Sequence, residues 1–189
     1  MRTQDPQAAA HTYTQTLGWP IAVGHRYRPR AGCTCQNPTC PTPGAHPRPG
    51  TRHTDIGQEL RETPSASIIC QTICFDALVM PHPVAMAAMV RLEAEAPVPV
   101  PCLYLPSRHA ALLVLPGTGT AALSARSQPV VAVRTGPDDW VPLPPSHDVR
   151  WDTPPWAEPT GGPVQLLPGG ELRTHLSRSC LRNPSQGRA

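Results

Sequence analysis

The sequence predicts an α+β domain: a core of mostly antiparallel strands with flanking helices, a small cysteine-rich insertion near its start and a Pro-rich C-terminal tail. Three observations carry this reading. Apolar runs of strand length (SIIC, FDALVM, PCLYLP, RHAALLVLP and PVVAVR), most of them bounded by Pro or Gly, have the size and punctuation of short buried strands. QAAAHTYTQTLGW and VAMAAMVRLEAEA are rich in helix formers. Cys33, Cys35, Cys40 and His46 crowd into CTCQNPTCPTPGAH, which is ligand spacing rather than a core pattern.

In chain order, Asp5-Pro6 opens the first helix with a capping side chain and a proline in its first turn, and Gly18 closes it. A short strand over Trp19 to Val23 follows. Residues 24–53 hold too much Pro, Gly, Cys and Arg for regular structure, so something other than a core must order them. Asp55 caps a short helix through Glu62. SIIC and FDALVM then read as buried strands, stopped by Pro81 and Pro83. A helix spans 84–96, with Val84, Ala87, Ala88 and Leu92 close to one face. Three further strands follow; Gly136-Pro137 reads as a turn, and DWVPLPPS adds an edge strand. The folded domain is expected over 6–151, and 152–189 is expected to be a flexible Pro/Gly/Arg-rich tail.

A chain of 189 residues has room for one domain with a real core, not comfortably for two. With 39% hydrophobic residues and 27 prolines, part of it should pack and part should not. There is no run of about 18 apolar residues and no apolar signal segment at the start, so the expectation is a cytoplasmic protein without membrane contact. All 16 basic residues are arginine. They gather at the two ends around an acidic middle, a distribution that fits contact with a polyanion and fits a solvated surface equally well. No phosphate-loop or dinucleotide-fold glycine pattern occurs, and the lack of a G-x-S-x-G element argues against a serine hydrolase.

Seven cysteines, an odd count, suit metal ligation better than a disulfide framework. Three thiolates and an imidazole form the donor set that tetrahedral zinc accepts, and Pro38, Pro41, Pro43 and Gly44 supply the turns that converge them. Since protein fills all four positions, a Zn²⁺ ion here is expected to be structural. It would order a zinc-knuckle insertion at 31–48, flanked by Arg26, Arg28, Arg30, Arg48 and Arg52. The alternative is a flexible loop of reduced thiols. Cys70, Cys74 and Cys102 lie in apolar runs and read as small core residues, whereas Cys180 reads as an exposed thiol in the tail.

The motifs LGWPIAV, CTCQNPTCPTPGAHP, FDALVM, PSRHAALLVLPG and VPLPPSHDVRW occur in one order over about residues 8–151. Together they resemble the N-terminal domain of bifunctional DNA primase/polymerases (Prim-Pol), a divergent actinobacterial form within the archaeo-eukaryotic primase superfamily. The resemblance implies a Prim-Pol/RRM-like core and nucleotidyl transfer by paired Mg²⁺ or Mn²⁺ ions held on carboxylates. It casts Asp76 as the first carboxylate and, with His109, as catalytic. It casts Ser107 and His109 as nucleotide contacts, with Arg108 adding a phosphate contact. Leu78 and Val79 stand where a second carboxylate belongs and Ala132 where a later one belongs, so the centre looks degenerate. Read without the resemblance, Ser107 and His109 are a strand-entry serine and a partly buried histidine, and Asp76 is a hydrogen-bonded turn residue.

Three functions follow as expectations. The first is a catalytically degenerate primase/polymerase-like domain in replication that binds DNA or nucleotide, with a helicase or replication partner in trans. The second is an active enzyme using Asp76, Asp138 or Asp139 and the Ser107/His109 pair. The third is a zinc-stabilised interaction module whose LLPGGELRTHLSRSCLR segment folds on a partner.

Overall fold

The computed structural model describes residues 5–49, 56–95, 98–157 and 160–180. The Asp55 cap and Arg52 lie outside these residues. Helix α1 (Pro6–His11), capped by the Asp5 carboxylate on the Gln7 N–H, widens into a π-helical turn at Thr12–Thr16. Strands β1 (Ile21–Arg28) and β2 (Gly32–Cys33), helix α2 (Ile56–Glu62), strand β3 (Ala66–Pro81) and helix α3 (His82–Glu95) follow. The chain then forms β4 (Cys102–Leu105), β5 (His109–Val114), β6 (Ala132–Leu143), β7 (Arg150–Thr153) and helix α4 (Gly169–Ser179).

All seven strands join one antiparallel sheet organised around β3. SIIC and FDALVM, expected as separate strands, are the two halves of this 16-residue strand. One side of β3 carries β6 along its length, from Ile68↔Leu143 to Val79↔Ala132. The other is shared by β1 (Val23↔Ile68) and β5 (Ala77↔Leu113), beyond which lie β4 and β7. PVVAVR and DWVPLPPS likewise merge into β6. Gly136, at φ 83, takes up a left-handed bend inside that strand instead of turning the chain.

The register of β3 shifts between Thr72 and Ala77, and the shift resets which residues face which side. Ile68 and Cys70 before it share a face with Phe75 and Ala77 after it, while Leu78 and Met80 face the other way. On the first face the sheet packs against α1 and α2 through Tyr13, Leu60, Trp19 and Phe75. On the second it packs against α3 through Val84, Ala85, Ala88 and Leu92. The result is three layers with the sheet in the middle.

The expected flexible tail needs correction. Residues 150–153 form edge strand β7, and Leu172 and Leu176 of α4 are buried beside α3. Gly169 makes this docking possible: its backbone N–H donates to Thr118 Oγ1 at 2.8 Å, and a Cβ there would strike the Thr118 carbonyl. None of the described helices is long and apolar enough to cross a membrane.

Candidate metal centre

The β1–β2 hairpin sends the chain out, and residues 40–47 bring it back against β1. Gly24 bridges to Pro47, and the His25 N–H donates to the His46 carbonyl at 2.9 Å. Two glycines permit this approach. A Cβ at Gly24 would collide with Ser67, Ile69 and the His46 carbonyl; one at Gly44, already at φ 66, would collide with the Tyr27 backbone.

These contacts gather Cys33, Cys35, Cys40 and His46 so that their ligand atoms all lie within 4.8 Å of one another. His46 Nε2 is 3.2 Å from Cys33 Sγ and 3.4 Å from Cys40 Sγ. Its Nδ1 lies 3.2 Å from the Pro47 carbonyl oxygen. A proton on Nδ1 donated to that carbonyl leaves the Nε2 lone pair facing the thiols, the second-sphere arrangement that orients a metal-ligating histidine. The Gly44 N–H also donates to Cys33 Sγ at 3.3 Å. A hydrogen bond from the Asn37 backbone lowers the Cys35 thiol pKa, whereas burial pushes Cys40 up to about 11. A dication among these sulfurs would deprotonate them outright. Three sulfurs and one nitrogen make a closed structural set suited to zinc, with no position left for substrate. Beside the cluster, the His25 ring packs at a tilt of 34° against His46 with ring centroids 4.4 Å apart. Burial first, then the neighbouring His46 and Arg48, hold its imidazole below the usual histidine range.

The remaining sequence-selected residues do not converge. Asp76 is 2% exposed, paired with Val114 at one end of β5, while His109 pairs with Pro81 at the other end. Five residue steps of strand separate them, about 17 Å, and strand alternation puts them on opposite faces. Ser107, Arg108 and His109 share the β4–β5 turn and are exposed; His109 Nδ1 approaches the backbone carbonyl of Ser107 at 3.1 Å rather than its hydroxyl. Val79 and Ala132, two positions marked as lacking carboxylates, prove to be cross-strand partners. Asp139 accepts from the Thr135 N–H at 3.0 Å, and the Thr135 hydroxyl donates to Asp76; Asp138 is exposed.

A polar cluster escaped sequence reading because its members are far apart in the chain. His82 Nε2 lies 2.9 Å from Asp152 Oδ2, Arg150 Nε 3.3 Å from Asp152 Oδ1, and the Arg150 guanidinium 3.6 Å above the Tyr104 ring. It fastens the start of α3 to β7. No family model matches this chain, and no curated protein or solved structure matches it either.

Proposed function

We propose that this chain is a nucleic-acid-binding domain of Prim-Pol-like build, ordered by a structural zinc, in which the nucleotidyl-transfer centre is not assembled. One observation carries the binding: Arg26, Arg28 and Arg30 lie on the hairpin that the Cys/His cluster ties down, and Arg28 and Arg30 are exposed. Arginines held in place can neutralise phosphates and release their counterions. The separation of Asp76 from His109 and the apolar Val79–Ala132 pair argue against a working pair of metal ions.

The test is fluorescence anisotropy of zinc-loaded protein with a labelled oligonucleotide at 50 and 200 mM salt. Three phosphate contacts predict a roughly twenty- to fortyfold loss of affinity across that range, together with no primer synthesis in Mg²⁺ or Mn²⁺. Absence of binding at low salt would point instead to an interaction module. An active enzyme has one observation in its favour, since Thr135 touches both Asp76 and Asp139. Metal-dependent synthesis that disappears in Asp139→Asn would establish that reading.

A further inference from the structure

We infer that the cleft between the β1–β2 hairpin and the metal-binding loop receives a single unpaired nucleobase, so that the domain selects single-stranded over duplex nucleic acid. The inference rests on the nucleic-acid reading above and specifies its ligand. The cleft has a volume of about 330 Å³ and is lined by Tyr27, Gln36, Asn37, Pro38, Cys40 and Pro43. Its size suits one base and excludes a double helix.

The walls have what a base requires. Tyr27 is an aromatic surface fixed in advance: His147 stacks on it with centroids 4.1 Å apart and planes 13° from parallel, and Gly44 packs on its backbone. A ring already immobilised loses little entropy when a base arrives. Pro38 and Pro43 are rigid apolar surfaces. Asn37 spends Oδ1 on the Thr39 N–H (3.0 Å) and hydroxyl (2.9 Å), which leaves its amino group as a donor for a base edge. Gln36, held at φ 62, supplies a second amide. Arg30 immediately precedes Ala31 and Gly32 on the cleft wall, Arg28 lies two residues before it, and both carry the charge that the strand's phosphates need.

The experiment compares the zinc-loaded full chain on a 12-mer single strand, on its duplex, and on the same strand made abasic throughout. The single strand is expected to bind at least tenfold tighter than either. Gln36→Gly, which keeps the left-handed backbone while removing the amide, is expected to weaken single-strand binding several-fold with zinc retained and duplex binding unchanged. Tyr27→Ala is expected to cost about tenfold; if that variant loses zinc, Gln36→Gly decides. Equal affinity for duplex, or full affinity for the abasic strand, overturns the base pocket while leaving phosphate-driven binding intact. No binding to any of the three at 50 mM salt overturns both readings.

Discussion

Asp76 Oδ2 accepts a 2.6 Å hydrogen bond from the backbone N–H of Gly119, while Oδ1 accepts another, also 2.6 Å, from the Thr135 hydroxyl. One buried carboxylate thereby joins β3 to the segment after β5 and to β6. Asp76→Ala would strand a buried N–H and remove two charge-assisted bonds, so it should lower stability by about 2–4 kcal/mol. Urea unfolding checks this. The loss should appear whether or not the protein has any polymerase activity, so a defect in this variant cannot be credited to lost chemistry until its fold has been measured. Gly119→Ala should act similarly, because its Cβ would press on Asp76 and Val133.

Metal analysis of purified protein should find one zinc per chain. Cys40→Ser should lose it; Cys74→Ser and Cys180→Ser, which lie outside the cluster, should keep it. Chelation should expose the start of the 31–48 loop to trypsin at the Arg30–Ala31 bond, since bonds such as His25 to His46 tie the loop to β1 without an apolar core of its own. The two hydrophobic clusters flanking the sheet should survive the same treatment.

The cluster was legible in the sequence because its four ligands fall within fourteen positions and needed only local turns to meet. Strands β4 and β5 and helix α3 were legible for a related reason: proline bounds them, and their apolar content follows from burial. The joining of SIIC to FDALVM was not, because Gln71 and Thr72 look like a break until Thr72 is seen donating to the Gly136 carbonyl across the sheet. The distance between Asp76 and His109 depends on how β3 and β5 are registered, which no local pattern encodes. Helix α4 was hidden by Gly169-Gly170, a pair that lowers helix propensity. At Gly169 the missing side chain is what allows contact with Thr118.

Docking of α4 predicts its own cost. Leu172 is 2% and Leu176 0% exposed, in the cluster that includes Val84, Ala88 and Leu92 of α3. Either leucine changed to Ala should destabilise the protein by about 2–4 kcal/mol. An unpacked tail would show no change in the same melt.

Alkaline pH should destabilise the fold. Burial pushes Cys102 up to about 12 and raises Cys70 and the Tyr13 phenol as well. The folded state therefore keeps protons that the unfolded chain gives up. Stability is full below about pH 9 and falls as pH rises, by about 1.4 kcal/mol per unit for each such group in its range. Urea midpoints at pH 8, 9 and 10 measure the slope, and Cys102→Ala should make it shallower.

The β4–β5 turn separates a structural role from a ligand role. Ser107 and Arg108 sit at φ 61 and φ 59, the paired left-handed conformation for which Asn-Gly is best suited. Each non-glycine residue there costs about 1 kcal/mol. Ser107→Asn with Arg108→Gly should therefore stabilise the protein by about 1–2 kcal/mol in urea. The turn lies at the Pro81 end of β3, and the arginine-bearing hairpin at the Ala66 end, where Arg26 pairs with Ala66. Single-strand affinity governed by the hairpin should consequently be unchanged in this double variant. A loss of affinity together with the gain in stability would show that the strain is kept for a phosphate contact, and would move the binding surface to the opposite end of the sheet.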